Sequence, residues 1–231
     1  MYFVLQSAFM SDQNQPGETL QDIRKMMQRS SRFISLSGLS GVAAGFWALV
    51  GCYIAYDWIY EYYVNYNSEG YSGMNFQKLK LSLLLLAGAV LAAALVSAFY
   101  FTWRRASKNN LPVWDRTARL LTINMLIPLV TGGLFILAIL RYDEWRFVAP
   151  LSLIFYGLAL VNGSKYTLSD IRYLGVLEII LGLINTQFIG YGLYFWAAGF
   201  GALHIVYGFY MWWKNERTSS EVAIGETNQR A

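Results

Sequence analysis

The chain has 231 residues, of which 56% are hydrophobic and only 14% charged, with a formal net charge of +4. Soluble proteins carry about 25% charged residues, and a globule of this size cannot hide so much apolar surface. Composition therefore excludes an ordinary soluble domain and points to an all-α, polytopic membrane helix bundle. The modest positive balance gives no reason to invoke nucleic acid.

The first ten residues, MYFVLQSAFM, lack the charged start of a secretory signal. Met10 opens the polar MSDQNQPGETLQ, so residues 1–9 are read as an over-extended start. Residues 1–33 form a cytoplasmic N-terminal segment in this reading. Within it, ETLQDIRKMMQRSSRFI sets Leu20, Ile23, Met27 and Ile34 at roughly helical spacing, and Thr19 followed by Asp22 is an N-cap signal. Arg24, Lys25, Arg29 and Arg32 lie among them. Such a basic amphipathic helix could lie on an anionic leaflet or dock a cytosolic partner. The simpler reading, preferred here, extends the first span and uses the charges as a topology signal.

Six apolar runs follow, near 34–58, 80–103, 119–140, 147–162, 171–187 and 191–213, and they define a six-helix transmembrane domain over 34–213. In the first run, Ser37, Gly41, Ala44, Ala48, Gly51 and Ala55 make a stripe of small side chains, with Gly45 beside it, which reads as a packing seam or a dimer face. Cys52, the one cysteine, is read as a small buried residue, since it can form no intrachain disulfide. The following YEYYVNYNSEGYSG is expected to be an outer loop with an aromatic belt. In the third run, Pro128 removes a backbone hydrogen bond and frees a carbonyl near Asn124. The fourth and fifth runs are short, but NGSKYTLSD between them holds Lys165 and Asp170, with Arg172 just beyond, and these charges belong at a surface. They are kept as separate spans. Residues 214–231 read as a polar, disordered cytoplasmic tail.

With both termini inside, the cytoplasmic segments hold 14 of the 18 lysines and arginines; only Lys78, Lys80, Arg141 and Arg146 fall outside. That asymmetry is what the positive-inside rule requires of six spans with N-in and C-in topology.

The most informative feature is a pair of octapeptides, GVLEIILG over 175–182 and GALHIVYG over 201–208. Each sets an ionisable residue, Glu178 or His204, between glycines. Gly175, Glu178, Gly182 and Asn185 share one helix face at 3- and 4-residue spacing, as do Gly201, His204 and Gly208. Glycines on such a face mark contact with another helix rather than lipid. The two spans are joined by a short turn, so they should form an antiparallel hairpin whose glycine stripes face each other or a shared neighbour.

Counting ~1.5 Å per residue puts Glu178 about 9 Å from the inner surface and His204 about 15 Å from it. The same count brings Asn124, Ser97, Ser37 and Tyr207 near the level of Glu178. The candidate intramembrane polar site is therefore Glu178, His204, Asn124, Tyr207 and Asn185, with Gly41, Gly45, Gly175, Gly182, Gly201 and Gly208 as helix-packing residues. An isolated ionised carboxylate at that depth is expensive, so Glu178 is expected to hold a proton or to be paired. His204, the one histidine, could accept that proton. The pair serves either proton chemistry or the locking of the bundle, and both readings stand.

The segments QRSSRFISLSGLSGV, SKYTLSDIRYLGVLEIILGL and FWAAGFGALHIVYG resemble a family of six-helix inner-membrane proteins of the kind found in Bacteroidota. The resemblance, covering about Leu20 to Trp213, implies a bacterial inner-membrane location and the helix count. It brings no assigned activity and no catalytic residues.

A single histidine and a single cysteine exclude a bis-histidine haem and argue against a zinc site, so no metal, cofactor or catalytic residue is expected. The expected partners are the lipid bilayer and a cytoplasmic protein or a second copy of the chain. An accessory, sensory or signalling role is preferred. A small-solute or proton-coupled transporter is the alternative, weakened by the lack of an inverted three-helix repeat. An intramembrane enzyme acting on lipid comes third.

Overall fold

The structure, a computed structural model, describes residues 37–69, 73–108 and 112–214. The basic N-terminal segment and nearly all of the C-terminal tail lie outside the described residues. Those described form six helices and no strand: α1 (Gly38–Glu69), α2 (Gly73–Lys108), α3 (Arg116–Leu140), α4 (Val148–Gly163), α5 (Asp170–Gln187) and a composite α6. α6 begins as α-helix at Gly192–Trp196, widens into a π-helix over Ala197–Leu203 and closes as α-helix over His204–Trp212.

Five segments are long and apolar enough to cross a membrane: Gly38–Ser68, Asn75–Lys108, Arg116–Leu140, Trp145–Gly163 and Ile189–Trp212. α5 differs because its 18 residues include Asp170, Arg172 and Glu178. No residue in an apolar 18-residue stretch of α2 is buried, and Leu85, Val96 and Phe99 point outward. Such a helix is at home in hydrocarbon and not in water.

α1 corrects the expected span. The tyrosine-rich stretch after Trp58, read as an outer loop, continues the helix to Glu69. Hydropathy marks where the chain leaves an apolar layer, whereas a helix ends where a breaker stands, and no glycine or proline occurs between Gly51 and Gly70. α3 runs unbroken through Pro128. The carbonyl that Pro128 cannot reach, that of Asn124, accepts a hydrogen bond from Asn162 Nδ2 of α4 at 2.8 Å. The proline thus gives up a bond within its helix and the freed carbonyl makes one between helices.

Two antiparallel pairs make the core. α1 packs on α6: a Cβ on Gly45 would lie 2.7 Å from the Gly201 carbonyl oxygen, and one on Gly208 would lie 2.5 Å from Val42 N. α4 packs on α5: a Cβ on Gly175 would lie 2.7 Å from the Gly157 oxygen, and one on Gly182 would lie 2.8 Å from the Pro150 oxygen. These are backbone-to-backbone approaches that a side chain would block. The glycine stripes of α5 and α6 therefore neither face each other nor share a neighbour: one belongs to α4, the other to α1. The small stripe of α1 is divided as well, with Gly41 against Gly208 and Gly51 against Val90 of α2. The pairs join through Leu160, Ile171, Leu174 and Met211, with Leu203 and Tyr207 packed on them.

An ion pair marks each end of the bundle. The Lys80 ammonium at the start of α2 bonds Asp143 in the α3–α4 turn, and it also lies over the rings of Phe76 and Trp145. Lys214 bonds Asp170, at the start of α5, at 3.0 Å.

Candidate functional site

Glu178 and His204 meet where the two helix pairs join. The carboxyl of Glu178 has no exposed surface, and its Oε1 lies 3.4 Å from His204 Nδ1. The register of α5 explains its position. Gly175 and Gly182 are spent on α4, and Glu178, between them, projects beside that seam toward α6. There Gly199 makes room, since a Cβ on it would stand 2.5 Å from Glu178 Oε2 and 2.5 Å from Leu153 Cδ2.

His204 is divided between two neighbours. Its backbone lies in the seam with α1, where its carbonyl oxygen would be 3.4 Å from a Cβ on Gly41. Its ring turns to the opposite side. Nδ1 is 3.0 Å from the Gly199 carbonyl oxygen, and Nε2 is 2.8 Å from the hydroxyl of Tyr156 on α4. A carbonyl oxygen can only accept, so Nδ1 carries the hydrogen and donates it to Gly199. In the neutral ring Nε2 is then bare and accepts from the Tyr156 hydroxyl. Both imidazole nitrogens are satisfied by this one neutral tautomer.

Glu178 is not satisfied. Among the described residues, neither of its carboxyl oxygens has a hydrogen-bond partner. A buried carboxylate facing a histidine that already spends its proton elsewhere would be uncompensated, and buried charges of that kind are costly. The arrangement suits a neutral acid.

The remaining expected site residues are distributed elsewhere. Asn124 is on α3, where its side chain donates to the Leu120 carbonyl at 2.8 Å and its backbone serves the contact with Asn162. Asn185 is fully buried but lies two turns from Glu178, and its Nδ2 donates to the Phe188 carbonyl at 3.1 Å at the end of α5. Tyr207 packs on the Leu160–Met211 cluster, one turn beyond His204. Depth counting places residues at a level and is silent about azimuth, so Asn124 and Tyr207 share the level of Glu178 without joining it, and Asn185 shares its helix face two turns away.

Tyr156 and Gly199 are members that the sequence reading missed. Tyr156 had a signal: it is the one hydroxyl-bearing ring in the apolar run LIFYGLALV, beside the seam glycine Gly157. Gly199 is off the 4-3 stripe and joins the site through the π segment, whose wider turn shifts the phase of the helix. Such π turns recur at functional sites. A string of rings, Trp196, Phe200, Tyr156 and His204, packs along the same side, with neighbouring centroids 4.9–5.3 Å apart. Among the described residues no group of three or more His, Cys, Asp or Glu side chains could hold a metal ion. Comparison with protein-family models, with curated proteins and with solved structures finds no match to this chain.

Proposed function

We propose that this chain is a non-enzymatic, multi-pass membrane protein of accessory or sensory type, built around the buried Glu178–His204–Tyr156 group. One observation carries the reading: the Glu178 carboxyl is fully enclosed, with Oε2 in the space that the missing side chain of Gly199 leaves, and it has no exposed atom. A solute carrier needs its intramembrane acid to meet water and cargo. A sealed acid between two rigid glycine-packed helix pairs suits a device that holds or adjusts their docking. The test is reconstitution into liposomes, with flux of protons and small solutes measured against empty vesicles. No protein-dependent flux is expected. Flux that is lost in Glu178→Gln would replace this reading with the proton-coupled carrier, which the two unpartnered oxygens of Glu178 otherwise favour.

The proposal includes six crossings of a bacterial inner membrane, with both termini cytoplasmic. Support for α5 as a crossing comes from its partners. Gly182 lies opposite Pro150 near the start of α4, and Gly175 lies opposite Gly157, so α5 accompanies α4 along its length. The Lys214–Asp170 and Lys80–Asp143 pairs join chain ends that strict up-and-down alternation puts on the same side. With Cys52 replaced by alanine, single cysteines at Lys165→Cys and Gln187→Cys should react with an impermeant reagent from opposite sides. Labelling of both from one side would remove α5 from the count.

A further inference from the structure

We propose that the Glu178 carboxyl is a binding site for one exchangeable proton, and that His204 reads its occupancy by choosing between two acceptors. The inference deepens the sensory reading above and rests on it for its biological meaning, though not for its chemistry.

The argument begins with the spacing around Nδ1. Nδ1 lies 3.0 Å from the Gly199 carbonyl oxygen, which takes its hydrogen, and 3.4 Å from Glu178 Oε1, which does not. The two acceptors lie on different helices, α6 and α5, and they compete for one N–H. While Glu178 is a neutral acid, its oxygens are weak acceptors, and the Gly199 carbonyl holds the hydrogen. Once Glu178 gives up its proton, the carboxylate is the stronger acceptor by far, since charge-assisted hydrogen bonds are roughly twice as strong as neutral ones. The ring then tilts to aim its in-plane Nδ1–H at Oε1, and the Gly199 carbonyl is released to the π segment.

No covalent bond other than the Glu178 O–H is broken in this exchange, and the proton leaves to the aqueous phase. His204 stays neutral throughout. The Tyr156 hydroxyl continues to donate to Nε2 in both states and holds the ring in its tautomer. The change therefore moves one hydrogen bond from within α6 to a bond between α6 and α5. In a core this closely packed, that is a shift in how the two helix pairs are held together.

Few other ionisable groups face the carboxyl. From α4 it is Tyr156, whose hydroxyl bonds His204 Nε2, and from α6 it is His204 itself. Tyr207 and the Lys214–Asp170 pair lie toward one end of the helices, and Tyr191 and Tyr194 lie toward the other. Cys52 of α1 points to the Leu193 carbonyl. Among the described residues no lysine or arginine pairs with Glu178 to replace the proton as counter-charge, which leaves the proton itself as the neutralising ligand. Since the carboxyl is enclosed, exchange requires the packing around it to open.

His204 is the one histidine in the chain, so ¹⁵N-histidine labelling yields a single imidazole and needs no assignment. The full chain, purified on a tag free of histidine, is placed in lipid nanodiscs and its two ring nitrogens are followed over a pH series. A neutral Nδ1–H ring is expected at neutral pH. As pH rises, one single-proton step should move the Nδ1 resonance toward a stronger hydrogen bond and leave the ring neutral. The same step should be absent in Glu178→Gln and retained in Tyr156→Phe, where only the Nε2 resonance is displaced at the outset. An imidazolium signal at neutral pH overturns the proposal, because the site would then be an ion pair. So does the absence of the step in the native chain, or its survival in Glu178→Gln.

Infrared spectroscopy of the native chain guards against a variant that fails to fold. A protonated-carboxyl C=O band at neutral pH should vanish with the midpoint of the nitrogen step, and its absence overturns the proposal. Neither readout depends on flux. Solute flux with an intact proton step would remove the accessory reading alone, and a missing step without flux would remove this inference alone.

Discussion

Gly157 of α4 and Gly175 of α5 approach each other reciprocally: a Cβ on the first would lie 2.6 Å from the carbonyl oxygen of the second, and a Cβ on the second 2.7 Å from the oxygen of the first. Neither neighbour is a flexible side chain, so neither can yield. Gly175→Ala should therefore destabilise the bundle by ~1–3 kcal/mol, the usual cost of overpacking a close contact. Gly88→Ala and Gly133→Ala, where a Cβ would meet nothing within 4 Å, should stay within about 0.5 kcal/mol of the native chain. Unfolding in mixed detergent micelles, followed by tryptophan fluorescence, makes the comparison. Equal losses at all three positions would mean that helix contact is not what the seam glycines provide.

Asn162 and Pro128 form a second testable unit. Asn162→Leu removes the donor to the Asn124 carbonyl and should cost on the order of 1 kcal/mol, in the range measured for hydrogen bonds between membrane helices. Pro128→Ala restores an N–H to the same carbonyl from within α3. The double variant should thus be more stable than the sum of the single changes implies. Strict additivity in the double-mutant cycle would show that the two residues do not share this carbonyl.

The Lys80–Asp143 pair predicts a dependence on acid. The hydrogen bond from Lys80, helped by one from the Trp145 indole, holds the Asp143 carboxyl below the usual carboxylate range. Its folded pKa is lowered, so the linkage contributes stability above the unfolded value of about 3.9 and loses it as pH falls through the folded value. Asp143 also has a positive φ of 65°. Asparagine adopts that left-handed backbone at little cost, so Asp143→Asn isolates the charge. Thermal stability of the variant should be lower than native at neutral pH, and the gap should close in strong acid. A gap that is constant with pH would show that the carboxylate contributes nothing through its charge.

Much of the fold is legible in the sequence. Long apolar runs and the scarcity of charge give an all-helical chain with helices apolar enough to cross a membrane, because helices satisfy every backbone group without water. Glycine spacing marks α5 and α6 as helices that pack closely, and the freed carbonyl opposite Pro128 follows from the chemistry of proline. The limits of α1 were not legible from hydropathy, since YEYYVNYNSE is polar enough to leave the membrane and still free of helix breakers. The site was half legible. Glu178 and His204 stand out as ionisable residues in apolar runs, and the structure puts them 3.4 Å apart.

The information carried along the chain is periodic and local: the apolar runs, the small-residue faces, and the two ionisable residues set between glycines. Which neighbour each face meets emerges only in three dimensions. The stripes of α5 and α6 go to different helices, one π segment turns Gly199 toward Glu178, and Tyr156 arrives from α4 to fix the histidine ring. Helical spacing defines a face but not its partner. The partner is set by side-chain volume and backbone approach summed over the whole bundle.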